Sequence, residues 1–198
     1  MIKYMTVLLL AAGFLSAQDF EYVGTKKCKA CHSSAKKGAQ YKLWLETGHA
    51  KAFDVLFTDE AIKIARERKL TVTPDKAPEC VECHVVGFGA GGYEILDESF
   101  WNPDPEDKKA VKAVKRMENL KNVGCEVCHG AGSAYRKKKV MDGIYSGTMN
   151  AADHGLTTVS EKTCLRCHND RSPSFKSFDY AERSAKIAHP YPEDMQKK

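Results

Sequence analysis

Four copies of one pentapeptide dominate this chain: Cys28-Lys29-Ala30-Cys31-His32, Cys80-Val81-Glu82-Cys83-His84, Cys125-Glu126-Val127-Cys128-His129 and Cys164-Leu165-Arg166-Cys167-His168. Together they use all eight cysteines of the sequence. Covalent attachment of haem c needs two thiols three residues apart, which add across the vinyl groups, and an adjacent imidazole that binds the iron. The sequence therefore predicts four covalent haem c groups, held by these cysteines and by four proximal histidines.

Zinc ribbons and thioredoxin-like redox sites also use a Cys-x-x-Cys pair. Neither explains why a histidine follows directly in all four copies. A disulfide framework would not need such fixed spacing. The repeated histidine favours haem over these alternatives.

The N-terminus has the pattern of an export signal. Lys3 precedes an apolar run over residues 5–15, and Leu15-Ser16-Ala17 is a suitable cleavage site. The run is too short to cross a bilayer, which takes about 20 apolar residues. We expect a signal peptide at 1–17 and a single tetrahaem domain at 18–198, without a transmembrane segment and located in the periplasm or outside the cell.

The charge of the chain does not indicate a nucleic-acid partner. The formal net charge is +5, and loss of Lys3 with the signal leaves +4. Each ferric haem with two ionised propionates adds about −1, so the ferric holoprotein is near neutral. The run Arg136-Lys137-Lys138-Lys139 remains as a local basic patch. It is a solvated loop, a set of partners for the propionates, or a docking site for an acidic redox partner.

Between the motifs, the apolar spacing predicts helices and no long strand. We expect helices over residues 35–45, from 58 or 59 to 68, from an Asp104-Pro105 cap to about 120, and from an Asp179 cap to about 187. Residues 86–92 and 172–178 are loop-like. The predicted fold is mainly α, with short helices and long loops wrapped around four haems.

Counting imidazoles gives the next prediction. After the proximal His32, His84, His129 and His168, three histidines remain as distal candidates: His49, His154 and His189. Any of them could instead be an ordinary surface residue. Three cannot serve four irons, so one iron is five-coordinate, binds water or takes a weaker ligand. The weaker candidates are the thioethers of Met117, Met141, Met149 and Met195 and the phenol of Tyr135, although Met117 lies on an apolar helix face and is expected in the core.

The chain resembles the small tetrahaem cytochromes c that accept electrons from hydroxylamine oxidoreductase in nitrifying bacteria. The resemblance is carried by Tyr22-Val23-Gly24, by Trp44-x-x-Thr47-x-His49-Ala50, by the glycine-rich stretch 87–92 and by Gly124-Cys125-Glu126-x-Cys128-His129-Gly130-x-Gly132-Ser133. It implies a mainly helical fold with closely stacked haem pairs, three irons with two histidines each, and one high-spin iron.

The same resemblance implies particular ligand pairs. His154 would serve the haem of His32, His49 that of His129 and His189 that of His168, and the haem of His84 would be open. Many relatives have a histidine two residues beyond the Gly-x-Gly-Ser segment, where this chain has Tyr135.

Electron transfer between a donor and an acceptor redox protein is the function these features favour. One alternative is a haem-dependent reductase that acts on nitric oxide or a similar small species at the open iron, with Glu82 or Tyr93 moving protons. A second is a haem filament subunit that donates a distal histidine to a neighbour, which leaves oligomerisation open. An electron carrier without enzymatic activity is the preferred interpretation.

Overall fold

The computed structural model describes residues 20–190, and its regular structure is helical. The α-helices, named in chain order, are α1 Lys29–His32, α2 Gln40–Leu45, α3 Asp59–Glu67, α4 Pro78–His84, α5 Glu98–Trp101, α6 Lys108–Glu118, α7 Cys125–His129, α8 Lys138–Tyr145, α9 Glu161–Leu165 and α10 Tyr180–Ile187. Short 3-10 helices lie at Thr25–Lys27, Ala35–Lys37, Gly48–Lys51, Asp54–Phe57, Pro74–Lys76 and Ala152–His154. Over 20–190 there is no strand, only an isolated antiparallel bridge between Val85 and Lys121. The predicted mainly α fold is confirmed.

Two of the predicted helices begin at the expected caps. The hydroxyl of Thr58 accepts a hydrogen bond from the amide of Ala61 at 3.3 Å and starts α3. The carboxylate of Asp179 accepts from the amide of Glu182 at 2.8 Å and starts α10, which ends at Ile187 before His189-Pro190. In both cases a short polar side chain satisfies an amide that the first turn leaves without a partner.

Three predicted elements differ in the structure. The predicted helix at 35–45 is interrupted by Gly38 and Ala39, which both have left-handed backbone angles. The predicted Asp104-Pro105 cap is wrong, because Asp107 accepts from the amides of Lys109 and Ala110 and starts α6. The basic run at 136–139 is only partly a loop, since α8 begins at Lys138.

The buried core surrounds the second motif. It consists of Phe53, Leu56, Val81, Val85, Val86, Tyr93, Met117 and Leu120. Val81 lies inside the Cys-x-x-Cys-His turn itself and is fully buried. The backbone amide of Val86 donates to the carbonyl of Leu120 at 2.8 Å, which holds the residues after this motif against the end of α6. The second motif is therefore packed into the hydrophobic core.

The buried carboxylate of Glu126 ties the N-terminal segment to the third motif. It is 1% exposed and accepts from the amides of Val23 at 2.9 Å, Gly24 at 2.7 Å and Gly132 at 2.7 Å. A Cβ on Gly132 would lie 2.9 Å from this carboxylate, so glycine is needed there. The carboxylate thus explains why Glu126 and Gly132 occur together around the motif.

Polar contacts to the other motifs hold the C-terminal part, which carries the fourth motif. No residue between 151 and 190 is fully buried. Instead, the amide and hydroxyl of Thr157 donate to the carbonyls of His129 and Cys128, both at 3.0 Å. This segment is therefore attached to the third motif by hydrogen bonds and contributes no residue of its own to a hydrophobic core.

None of the helices between residues 20 and 190 has the length and apolarity needed to span a bilayer. The predicted signal peptide at 1–17 and Met195 lie outside the described residues. The division into a signal and one domain at 18–198 stays a prediction.

Candidate haem centres

Each motif forms a helical turn that brings its three ligating side chains to one face. In a helix, residues i, i+3 and i+4 are neighbours on the surface, and these are the two cysteines and the histidine of each copy. The amide of His32 donates to the carbonyl of Cys28 and that of His168 to the carbonyl of Cys164, both at 3.0 Å. All eight cysteines are free thiols. The geometry and the donor set both fit covalent haem c.

Two proximal imidazoles are oriented by an acceptor on their outer nitrogen. Nδ1 of His84 is hydrogen-bonded to the carbonyl oxygen of Ala52, and Nδ1 of His32 lies 3.2 Å from Oε1 of Gln40. Because these oxygens can only accept, Nδ1 carries the proton in both rings. Nε2 is then the unprotonated nitrogen, which is the tautomer that binds iron.

Two further pairs of imidazoles face each other at the spacing of a shared metal. The ring centroids of His49 and His168 are 6.0 Å apart, and those of His129 and His189 are 5.9 Å apart. A metal–nitrogen bond of about 2 Å on each side, with about 1 Å from each nitrogen to its ring centre, gives about 6 Å. Both separations therefore fit an iron held between two imidazoles.

Burial keeps these four imidazoles neutral. Desolvation lowers the pKa of His49 and His129, and the facing rings of His168 and His189 respectively lower them further. Desolvation also lowers the pKa of His168 and His189. Since only a neutral imidazole can ligate iron, the environment favours the state that ligation needs.

The facing rings differ from two ligand pairs that the resemblance implies. His49 faces His168 rather than His129, and His189 faces His129 rather than His168. The amide of Val123, just before the third motif, donates to the carbonyl of His49 at 3.1 Å, and the indole of Trp44 donates to the carbonyl of Val123 at 2.9 Å. The backbone of His49 is thus anchored beside the third motif while its ring points to the fourth.

The third distal candidate is placed differently. His154 borders a cavity of about 700 Å³ together with Phe20, Ala134 and Asp153. Among residues 20–190, no imidazole ring faces His154, His32 or His84 in the way that the two pairs face each other. The pairing of His154 with His32 therefore stays a prediction.

Contacts between motifs set their spatial order. The thiols of Cys28 and Cys125 lie close together, which with burial raises the pKa of Cys28, and the thiols of Cys83 and Cys167 are likewise neighbours. The guanidinium of Arg166 in the fourth motif donates to the carbonyl of Val127 in the third. The first motif thus adjoins the third, the third adjoins the fourth, and the fourth adjoins the second.

Two of the weaker ligand candidates, Tyr135 and Met117, have other roles. The hydroxyl of Tyr135 donates to the carbonyl of Gly130 at 2.8 Å, and burial followed by the charge of Glu126 raises its pKa. Its hydroxyl is therefore engaged by a backbone carbonyl, which does not favour Tyr135 as a phenolate ligand. Met117 is buried in the core as expected, and its sulfur accepts from the amide of Glu94 at 3.3 Å.

The suggested proton-transfer residues are also engaged elsewhere. Glu82 forms an ion pair with Arg171 at 2.8 Å. Tyr93 is buried in the core, and desolvation raises its pKa to about 12. The phenol of Tyr93 is therefore not poised to exchange protons near neutral pH. Both match the simpler interpretation of a surface acid and a packed aromatic.

The sequence analysis missed the residues that orient the ligands. Gln40 accepts from His32 and also donates from Nε2 to the carbonyl of Pro190 at 3.1 Å. Phe178 stacks on the ring of His168 with centroids 4.8 Å apart. No motif could have indicated either residue. Gln40 is held by a contact with Pro190 far along the sequence, and Phe178 lies in a loop.

Comparison with known proteins agrees with this geometry. The family model described as "Cytochrome c554 and c-prime" matches residues 27–130, which include the first three motifs. Cytochrome c-554 of Nitrosomonas europaea is 35% identical over 169 residues, which cover 80% of this chain and 62% of that protein. The chain thus spans less than two thirds of the length of this relative. No solved structure matches the chain. The chain belongs to the cytochrome c554 and c-prime family and carries four covalent haem c groups.

Proposed function

We propose that this protein is a periplasmic electron carrier that moves electrons between a donor and an acceptor redox protein. When bound, haem supplies a one-electron Fe³⁺/Fe²⁺ couple at each attachment site. The observation that carries the proposal is the contact of every motif with at least one other, in the order first, third, fourth, second. Attachment sites in direct contact favour electron exchange through the protein.

The residues that we propose for cofactor attachment are the cysteine and histidine side chains of the motifs: Cys28, Cys31, His32, Cys80, Cys83, His84, Cys125, Cys128, His129, Cys164, Cys167 and His168. We propose His49 and His189 as distal ligands, on the evidence of their facing rings. His154 is proposed opposite His32 by resemblance alone. Two neutral imidazoles on one iron are the usual ligand set of low-spin carriers.

The basic run at 136–139 is the proposed docking site for an acidic partner. All four of its side chains are exposed. Lys138 is paired with Asp142 at 2.5 Å, so Arg136, Lys137 and Lys139 carry most of the free positive charge there. Exposed charges of one sign speed encounter with a partner of opposite charge and are screened by salt.

The carrier function can be tested by rapidly reducing a single haem in each molecule. After a short photochemical pulse that delivers less than one electron per molecule, absorbance should show first-order redistribution of the electron at a rate independent of protein concentration. A rate that scales with protein concentration would mean that electrons pass only between molecules. That result would contradict a carrier built on adjoining motifs.

One observation favours a second function at the second motif. Among residues 20–190, no other imidazole faces His84 or His32, whereas His129 and His168 each have a facing ring. The resemblance gives His154 to His32 and leaves His84 without a distal histidine. A ligand site beside His84 would suit a haem-dependent reductase of a small species such as nitric oxide. Electron paramagnetic resonance with added nitric oxide distinguishes the two functions, because a carrier without such a site leaves any high-spin signal unchanged and shows no turnover.

A further inference from the structure

One peptide unit links the imidazole of His84 to a side chain far away in the sequence. The carbonyl of Ala52 accepts from Nδ1 of His84. The amide on the other side of the same peptide, that of Phe53, donates to Oδ1 of Asn122 at 2.7 Å. The group between the proximal imidazole and Asn122 is therefore one planar peptide that is hydrogen-bonded at both ends.

Asn122 is held in an unusual backbone conformation. Its φ is 71°, in the left-handed region that few residues other than glycine adopt and in which asparagine is enriched. Its carbonyl accepts from the amide of Gly124 at 3.0 Å. On the preceding side, Lys121 is bridged to Val85, the residue after His84. These contacts fix the turn that aims the Asn122 amide at the peptide.

Two hydrogen bonds on opposite ends of one peptide group strengthen each other. An acceptor on the Phe53 amide increases the negative charge on the Ala52 carbonyl, which then accepts more strongly from His84. A stronger acceptor on Nδ1 makes the imidazole a better electron donor through Nε2 and fixes the plane of its ring. The same acceptor also prevents the 52–53 peptide from rotating away from His84.

We propose that Asn122 is a positioning residue for the proximal ligand of the second haem. It acts through the 52–53 peptide and sets the ring orientation and donor strength of His84. The proposal depends on haem attachment at the second motif and is independent of which redox partners the protein serves. Its chemical consequence is a lower reduction potential at this one haem, since a stronger donor stabilises ferric iron.

Two substitutions separate positioning from general structural support. Asn122→Gly keeps the left-handed backbone available and removes the acceptor. Asn122→Asp keeps an acceptor at the same place and makes it an anion, which strengthens the chain of hydrogen bonds. Lys69→Gly is the matched control. Lys69 also has a left-handed φ, of 57°, and takes no part in the hydrogen bonds that link His84 to Asn122.

The measurement is a redox titration of purified holoprotein that resolves four one-electron steps. In Asn122→Gly, one step should move so that the ferric-to-ferrous ratio of that haem at fixed potential falls about threefold to tenfold, where tenfold corresponds to 59 mV. In Asn122→Asp the same step should move the opposite way. The other three steps, and all four in Lys69→Gly, should stay in place.

Shifts of the same sign in both Asn122 variants, shifts spread over all four haems, or no shift in either variant would overturn the proposal. A pyridine haemochrome assay accompanies each titration and counts the attached haems. A wild-type count of three would remove the haem on which the inference depends. A count of four with unshifted steps would refute the role of Asn122 alone and leave the carrier function intact.

Discussion

Replacing Glu126 by alanine should lower the free energy of unfolding of the holoprotein by several kcal/mol. Its carboxylate is 1% exposed and is the acceptor for the amides of Val23, Gly24 and Gly132. Alanine would leave all three donors without a partner, and an unsatisfied buried donor costs about 1–3 kcal/mol. Because the amide of Val23 is only partly buried, we expect a total loss of roughly 3–6 kcal/mol.

Glutamine at this position should be intermediate. Its single oxygen still accepts a hydrogen bond, while its NH₂ group lies against the remaining backbone donors and cannot accept from them. The expected loss in the free energy of unfolding is about 1–3 kcal/mol. Glu82→Gln is the matched control, because Glu82 also lies within a Cys-x-x-Cys-His motif and its ion pair with Arg171 is on the surface. Loss of such a pair costs about 1 kcal/mol or less.

The assay is urea denaturation followed by far-ultraviolet circular dichroism, on protein with four haems attached in every variant. The free energy of unfolding should fall least in Glu82→Gln, more in Glu126→Gln and most in Glu126→Ala. If Glu126→Ala unfolds within 1 kcal/mol of the wild type at an unchanged denaturant slope, the buried carboxylate does not tie the N-terminal segment to the third motif.

Three further predictions concern the ligands, the pH dependence and the docking site. His49→Ala and His189→Ala should each convert one haem from low to high spin in electron paramagnetic resonance, and an unaltered spectrum would remove that residue from the ligand set. The buried phenol of Tyr93 has its pKa raised from 10.0 to about 12, so its contribution to stability is complete below pH 10 and is lost as the pH rises to about 12. Tyr93→Phe should therefore lose less stability over this window in denaturation experiments, and equal losses would contradict the assignment. Replacing Arg136, Lys137 and Lys139 by glutamine should slow the reduction of this protein by an acidic partner at low ionic strength. It should also abolish most of the salt dependence of that rate in stopped-flow measurements. An unchanged rate would exclude docking at this site.

Local chemistry made part of the fold predictable. The caps at Thr58 and Asp179 each act on the amide three residues away, so the sequence alone indicates where α3 and α10 begin. The start of α6 was missed because Asp104 and Asp107 have equal capping chemistry. Asp104 instead accepts from the amide of Glu106 and forms the turn that precedes the helix.

In the candidate site, too, local sequence patterns indicate some residues and not others. Motif spacing identifies the proximal histidines because two thioether bonds and one iron–nitrogen bond define it. The partner of His49 could not be predicted, since its backbone is bonded to Val123 beside the third motif and its ring points to the fourth. The contributions of Ala52 and Gln40 to ring orientation arise from a carbonyl and an amide, which have no sequence signature.

The alternation of neighbours along the chain constrains how the protein is assembled. Since the first motif contacts the third and the second contacts the fourth, a cut between the second and third motifs would separate both pairs. Neither half would then contain two adjoining attachment sites from these pairs. Since a polypeptide is synthesised from its N-terminus, each of these two pairs is completed only after the later half of the chain has been made. Truncation to the later half would keep only the contact between the third and fourth motifs, through Arg166 and Val127, and would lose both thiol pairs.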